Sequence, residues 1–252
     1  MEVHSHSHSP RQKWTHYVWE FFMLFFAVTL GFFVENQREH IVERKKEKEY
    51  VRSIIQDLRS DTAWLKEFLK NQDLSFNAFD SVIFLLQHNS DAYSRQRLYF
   101  LVRIAIRYSD FYKVNDNAYE QMKSSGNLRL LHSQHVAENI SKYYSSIKDL
   151  TLLVNQTLLR QQALIEFEGQ IFDGNIFQEM INKETFEISP PSGDPLLING
   201  DKKLINEFIV KIHYLVSIML FSKNFATQQI TEAGRLADFL QKEYGLGAGL
   251  DD

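Results

Sequence analysis

The chain lacks cysteine and has little glycine or proline. Its 252 residues include no Cys, 10 Gly and 4 Pro, so Gly and Pro together make up about half of their usual share. The absence of Cys excludes disulfide bridges, Cys-ligated zinc, iron–sulfur clusters and thiol nucleophiles. No Gly or Pro interrupts residues 32–125, which favours long helices over a turn-rich fold.

An excess of charge of either sign is also missing. The net charge is −4, with 24% charged and 44% hydrophobic residues. This ordinary balance fits neither a wholly disordered chain nor a polytopic membrane protein. Without a global basic field, nucleic acid is not an expected partner. The basic run at residues 44–48 is no exception, because acidic residues neutralise it within one helical turn.

Catalytic motifs are absent as well. The sequence contains no phosphate-binding G-x-x-x-x-G-K-[ST], no dinucleotide-binding G-x-G-x-x-G, no G-x-S-x-G and no H-E-x-x-H. We therefore expect neither an enzyme nor a bound cofactor. One candidate metal set is His132, His135 and Glu138, whose spacing brings two imidazoles and a carboxylate near one helix face. The alternative is that they are ordinary polar residues at the start of a helix.

The longest apolar stretch lies near the N-terminus. Residues 21–34 (FFMLFFAVTLGFFV) carry no charge, but alone they span only ~21 Å as a helix, less than the hydrocarbon core of a bilayer. Extending the segment to residues 14–34 makes it long enough and places Trp14, Tyr17 and Trp19 at a membrane interface. We predict a transmembrane helix over residues 14–34.

Two alternatives compete with this anchor. A signal peptide is disfavoured because no small-x-small cleavage site follows the apolar run. A core helix of a soluble protein is disfavoured because the run is apolar on every face.

Glu20 is the only acid within the predicted span. A carboxylate near the bilayer is costly, so Glu20 is a candidate intramembrane contact that binds a proton or pairs with a cation on another helix. The alternative is that Glu20 lies in the headgroup region and reaches water beside Trp19.

The two ends of the chain are expected to be unstructured. Residues 1–13 form a His/Ser tail in which His4, His6 and His8 alternate with Ser. A disordered tail is the prediction, and metal binding by these imidazoles is the alternative. Residues 245–252 are predicted to form a flexible tail.

Residues 35–50 are predicted to form a charged helical stalk, because acids and bases alternate there at spacings that stabilise a helix. Six basic residues in 35–54 against two in 1–19 favour a cytoplasmic bundle. Short N-terminal tails usually stay inside, however, and long domains translocate regardless of charge. We therefore favour a bundle on the periplasmic side of the inner (cytoplasmic) membrane.

An amphipathic pattern beginning near Tyr50 predicts an all-α, antiparallel helical bundle over residues 51–244. The first helix continues beyond the stalk, and the further predicted helices cover 74–88, 92–109, 118–125, 132–172 and 201–244. The last is not predicted to be a second membrane span, because Glu207, Lys211 and His213 interrupt its apolar run.

Local signals refine this bundle. Asn115-Asp116-Asn117 is predicted to cap the helix that follows it, and Gly126 to end that helix in the left-handed conformation. Residues 173–200, which hold three of the four Pro, are predicted to form an irregular loop, either functional or simply mobile. Arg95, Arg103 and Arg107 are expected to lie on a solvated helix face, with anion binding as the alternative.

A coiled-coil-like seam follows the helix predicted over 132–172. Its apolar residues alternate steps of four and three: Val136, Ile140, Tyr143, Ile147, Leu150 and Val154. Packing within the bundle is the expected use of this seam, and a dimer interface is the alternative.

Four segments resemble the domain-of-unknown-function 6090 family of Bacteroidota single-pass membrane proteins. They are Trp19-Glu20-Phe21 before the apolar run, residues 50–58 (YVRSIIQDL), residues 118–130 (AYEQMKSSGNLRL) and Tyr143-Tyr144. After the apolar run this chain has residues 35–38 (ENQR), where the family usually shows Asn-Asn-Trp-Asn. The resemblance implies a membrane location and this architecture. It implies no activity, since the family has no assigned biochemical function.

The sequence thus predicts a non-enzymatic scaffold or accessory subunit that acts through protein contacts. Its expected partners are the lipid bilayer and other membrane or envelope proteins, and a homo-oligomer is left open. The alternative function is an extracytoplasmic sensor that binds a small ligand between helices or under the 173–200 loop and relays to a membrane partner. A metal-dependent enzyme using His132, His135 and Glu138 is the third hypothesis.

Overall fold

The computed structural model describes residues 14–88, 91–107 and 114–246. The predicted His/Ser tail, Tyr108, Ser109 and most of the C-terminal tail lie outside these residues. The helices are α1 (Trp14–Gln87), α2 (Ala92–Arg107), α3 (Asn117–Ser124), α4 (Gln134–Glu168), α5 (Gly174–Glu179) and α6 (Lys202–Tyr244), with a 3₁₀ turn at Asn127–Leu130. No strand occurs in the described part of the chain. The prediction of an all-α fold with long helices is confirmed.

Helix α1 is a single element of 74 residues, so the separate helix predicted over 74–88 is wrong. Nothing in the sequence ends the helix near Leu74, and its buried face continues through Phe79 and Val82. The chain divides into two compact units, residues 1–49 and residues 50–252.

In the second unit, α4 and α6 pack side by side in antiparallel directions. The rings of Phe167 and Phe208 stack at 6.2 Å at one end, and those of His132 and Tyr244 meet at 4.9 Å at the other. The predicted seam faces inward on α4, because every one of its residues is at most 5% exposed. The seam is therefore used within the bundle, as expected.

The bundle contains two hydrophobic clusters. One is built around Val51–Phe68 of α1 and the N-terminal half of α4, and the other around Ala78–Leu86 of α1 and the first half of α6. Along each long helix, polar residues separate the two clusters. These are Gln72 and Ser75 on α1, Thr157 and Gln161 on α4, and Ser222 on α6, all nearly fully buried.

Helix α2 holds the 173–200 segment in place. The Tyr99 hydroxyl accepts a hydrogen bond from the Asp173 N–H at 2.9 Å and donates one to the Leu196 carbonyl at 3.0 Å. Arg95 pairs with Asp194 at 2.6 Å. The segment predicted to be irregular thus contains the short helix α5 and is docked against α2.

Candidate functional site

The N-terminal part of α1 exposes its apolar side chains on all faces. Between Phe21 and Val34 every large apolar side chain is between 45% and 74% exposed, and no described residue covers them. An 18-residue window of α1 has a mean hydropathy of 1.9 and is 0% buried. By length and composition this helix can cross a membrane.

The predicted membrane-facing residues lie in the same exposed segment. Trp14, Tyr17 and Trp19 are 80%, 53% and 69% exposed, and Glu20 is exposed as well. Thr29 donates a hydrogen bond to the carbonyl of Phe25 at 2.7 Å, so its hydroxyl is satisfied within the helix. Between residues 17 and 34, Glu20 is the only residue that carries a formal charge.

Helix α6 is also long and apolar enough to span a membrane, with a mean hydropathy of 1.6 in its best window. Glu207, Lys211 and His213 therefore do not exclude a span on length and composition alone. In contrast to α1, 28% of that window is buried, since Phe208 and Ile212 pack in the bundle core.

The candidate metal residues just before and in the first turns of α4 have separate partners. Both ring nitrogens of His132 are engaged, Nδ1 with the Tyr244 hydroxyl at 2.9 Å and Nε2 with Glu243 at 3.0 Å. His135 stands edge-on to Phe239. Within residues 14–88, 91–107 and 114–246, no group of three or more His, Asp or Glu side chains could hold a metal ion. His132, His135 and Glu138 therefore do not form a metal site.

The first hydrophobic cluster contains a buried acidic residue that was not predicted from the sequence. Asp61 on α1 is fully buried; its carboxylate accepts the Asn115 N–H at 3.0 Å and the Tyr143 hydroxyl at 3.4 Å. Burial raises the pKa of Asp61 to about 6, with a smaller contribution from the nearby Asp57 carboxylate. Asp61 therefore titrates close to neutral pH.

Asp57, one turn earlier on α1, interacts with the start of α3. Its carboxylate accepts the Ala118 N–H at 3.4 Å, and partial burial raises its pKa. The side chain of Asp116, predicted to cap α3, makes no capping hydrogen bond. The Asp57 carboxylate on α1 supplies the cap instead, so an acid lies at the positive end of the α3 helix dipole. The predicted stop at Gly126 is confirmed, with φ of 69°.

Three tyrosines pack beside these two acids. Tyr143 and Tyr144 meet at 5.2 Å, and Tyr119 stacks on Tyr144 at 4.4 Å. The Tyr144 hydroxyl is buried and has no hydrogen-bond partner among the described residues. Burial, together with the negative charge of Asp57 and Asp61, raises the pKa of Tyr144. The arrangement fastens α1, α3 and α4 together and makes their junction sensitive to protonation.

Asp61 could have been found from a gap in the apolar pattern. The buried stripe of α1 runs through Leu58 and resumes at Leu65, and helical spacing requires one residue between them on the same face. Asp61 occupies that position. An acid on the buried face of a helix must have partners, but the sequence does not say which ones.

Arg95 and Arg103 of α2 contact other parts of the bundle. The Arg95 side chain is 15% exposed and is paired with Asp194, while Arg103 lies 5.7 Å above the ring of Phe177. The side chain of Arg107 lies outside the described residues. The solvated face expected from the sequence was wrong for Arg95, because the 173–200 segment covers this part of α2.

A groove of about 610 Å³ runs between α4 and α6. Basic and amide side chains line it, including His135, Lys142, Gln228 and Arg235, and its volume is in the range of small-molecule sites. Arg235 forms an ion pair with Glu232 at 2.6 Å. Phe225, Leu236 and Phe239 add apolar surface to the lining, so the groove is mixed in character and open to solvent.

Comparison with known proteins adds no identification. No family model matches the sequence, and no curated protein or solved structure is significantly similar to it.

Proposed function

We propose that this chain is a single-pass membrane protein of the inner membrane, whose helical bundle acts as a scaffold or accessory subunit through contacts with other proteins. The observation that carries the proposal is the exposure of every large apolar side chain between Phe21 and Val34. Water disfavours such a surface strongly, and a bilayer is the solvent that matches it. The resemblance to the domain-of-unknown-function 6090 family supports the same architecture.

The experiment compares two adjacent pairs of apolar-to-Lys substitutions in α1. Phe25→Lys with Phe26→Lys places two charges in the span, at a cost of about 3–4 kcal/mol each. Ile41→Lys with Val42→Lys is the control, since Ile41 and Val42 are equally exposed, at 67% and 54%. We expect the wild type and the control variant to remain in carbonate-washed membranes. The variant that carries Phe25→Lys and Phe26→Lys should be largely released from them. Full-length wild type that is soluble without detergent contradicts the anchor.

Contact with other proteins is proposed on a second observation. The bundle exposes large apolar side chains that nothing in the described chain covers, among them Leu152, Leu159, Tyr214 and Phe221, each at least 59% exposed. Exposed apolar surface marks interaction sites. Crosslinking in intact cells tests this: Tyr214→Glu with Phe221→Glu should lose partners that Thr227→Glu retains. An unchanged set of partners contradicts the proposed contact surface.

Glu20 is proposed to contact a neighbouring membrane helix. A carboxylate at the border of the span is satisfied most readily by a donor from another protein. The test replaces Glu20 by Gln and compares the membrane proteins that co-purify, with Glu39→Gln in the charged segment as control. Loss of a partner only in Glu20→Gln supports the proposed contact. Identical sets of partners in both variants contradict it.

The bundle is proposed to face the periplasm. The domain that follows the span is about 200 residues long, and long domains translocate largely regardless of the flanking basic residues, so the six basic residues in 35–54 do not fix this side in the cytoplasm. Protease added to spheroplasts should degrade the bundle while leaving a cytoplasmic marker intact. A bundle that survives until the membrane is lysed reverses the orientation.

A second candidate function is a small-ligand sensor, which the groove between α4 and α6 favours. A compound screen by thermal shift on the full-length protein in lipid nanodiscs tests it. A compound whose stabilisation depends on Lys142 or Arg235 supports a ligand in the groove, and the absence of any stabilising compound contradicts the sensor.

A further inference from the structure

A second cavity, of about 190 Å³, lies where α2, the end of α4 and the 173–200 segment meet. Five residues line it: Arg103, Ile106, Ile165, Glu168 and Ile188. Three of them are isoleucines and the other two carry opposite charges. The cavity is thus apolar on most sides, with one acidic and one basic group.

Glu168 is an unusual residue to find in this position. It is 5% exposed, and its Oε1 atom has no hydrogen-bond partner among the described residues. It is also the last residue of α4, where the partial negative charge of the helix end disfavours a carboxylate. A buried, unsatisfied carboxylate oxygen is destabilising, so the fold alone gives no reason for an acid here.

Arg103 faces the same cavity but does not neutralise Glu168 directly. The guanidinium lowers the pKa of Glu168 from a distance, while burial raises it more strongly, to about 8. No described carboxylate forms an ion pair with Arg103, which instead lies over the ring of Phe177. No ion pair therefore joins these two residues, although both line the same cavity.

We propose that this cavity binds a small zwitterion with an aliphatic side chain, such as a branched-chain α-amino acid. Glu168 would receive hydrogen bonds from the ammonium group, and Arg103 would donate hydrogen bonds to the carboxylate. Ile106, Ile165 and Ile188 would surround the side chain. A cavity of about 150 Å³ holds benzene, so this one is the right size for valine, leucine or isoleucine.

The inference deepens the sensor function proposed above and assigns it a site other than the α4/α6 groove. Ile165 is 47% exposed, so one wall of the cavity borders solvent and lets a ligand enter. Because Arg103 is the only other charged side chain among the described residues that line the cavity, protonation of Glu168 changes the charge balance of that lining. An arriving ammonium group would displace the proton from Glu168, and binding near pH 7 would release a proton.

Isothermal titration of the full-length protein in lipid nanodiscs tests the proposal. The probes are leucine, isoleucine and valine, with isoamylamine and isocaproate as analogues that lack the carboxylate and the ammonium group. We expect the amino acids to bind at least about tenfold more tightly than either analogue, since each analogue loses one charge-assisted contact. The heat should also differ between buffers of different ionisation enthalpy, as proton release requires.

Matched variants locate the site. Glu168→Gln and Arg103→Gln should each weaken leucine binding by at least about tenfold, and Glu168→Gln should abolish the buffer-dependent heat. Glu166→Gln and Arg97→Gln, exposed neighbours on the same helices, should leave binding unchanged. Circular dichroism of each variant shows that it remains folded.

Three results overturn the proposal: no heat with any of the probes, equal binding of leucine and isoamylamine, or binding that Glu168→Gln leaves intact. If none of the amino acids binds but a screened compound does so in a way that depends on Arg235 and not on Glu168, the proposal fails while the broader sensor function stands.

Discussion

Helix α1 places two apolar segments in opposite surroundings. Residues 21–34 expose all their large apolar side chains, whereas Val51, Ile54 and Leu65 further along the same helix are 0% exposed. The exposed segment is apolar on every face and the buried one only along a stripe. The comparison teaches that the pattern of apolar residues around a helix, more than their number, indicates whether protein or lipid surrounds it.

The largest expected effect comes from making the same substitution, Leu to Ala, once in each of the two segments. Leu65→Ala should lower the free energy of unfolding of the bundle by about 2–5 kcal/mol, because it leaves a cavity in a packed core. Leu24→Ala, at a leucine that is 66% exposed, should leave it unchanged. Denaturant unfolding followed by Trp64 fluorescence provides the measurement. Equal losses in both variants would show that the N-terminal segment is packed against protein.

The next effect concerns the acid on the buried stripe. The pKa of Asp61 is about 6 in the folded chain and about 4 when unfolded, so the folded state binds the proton more tightly. The contribution of Asp61 to stability is therefore fully present below pH 4 and is lost as the pH rises through about 6. Asp61→Asn should remove this contribution and stabilise the bundle at pH 7 by about 2–3 kcal/mol, while the decrease due to Glu168, whose pKa is raised to about 8, remains.

Thermal unfolding between pH 4 and 7 checks this prediction, with the exposed Asp80→Asn as control. A wild-type protein whose stability rises over that range, or an Asp61→Asn variant that keeps the wild-type slope, would contradict the assignment.

A smaller effect distinguishes the two adjacent tyrosines. Tyr143→Phe should cost about 1 kcal/mol, because Asp61 loses a hydrogen-bond donor. Tyr144→Phe should be neutral or slightly stabilising, since its hydroxyl has no partner among the described residues. Chemical denaturation at pH 7 measures both, and the reverse order would mean that the Tyr144 hydroxyl is the one that matters.

The smallest effect is expected in the exposed half of α1. Arg38→Ala removes the ion pair with Glu35, whose side chains are 68% and 61% exposed. Exposed pairs contribute little, so the free energy of unfolding of the bundle should be unchanged. A loss, measured in the same denaturation assay, would indicate that this segment is coupled to the bundle.

Periodicity was sufficient to predict most of the helices but not their junctions. The seam of α4 and the stop at Gly126 follow from local spacing and local conformation, and both were confirmed. The continuity of α1 past Leu74 was not predicted, although no residue there breaks a helix. The cap of α3 was assigned to Asp116, since local signals cannot reveal a distant partner.

The candidate sites were harder to predict for the same reason. In the sequence, Asp61 interrupts an apolar stripe, but its partners lie far from it along the chain. Glu168 continues the spacing of the α4 seam beyond Leu164, but its surroundings depend on how the 173–200 segment folds back on α2. That docking rests on contacts such as Arg95 with Asp194, which are 99 residues apart, and no local pattern records them.

The dependence of α3 on α1 has a consequence for the order of folding. An eight-residue helix is too short to persist alone, and the carboxylates that satisfy the N–H groups at its start lie 54 and 61 residues earlier in the chain. Closing so long a loop costs entropy that must be recovered elsewhere first. We expect α3 to gain protection from amide exchange only after α1 and α4 have paired, and substitutions in α3 to accelerate unfolding while leaving the refolding rate unchanged.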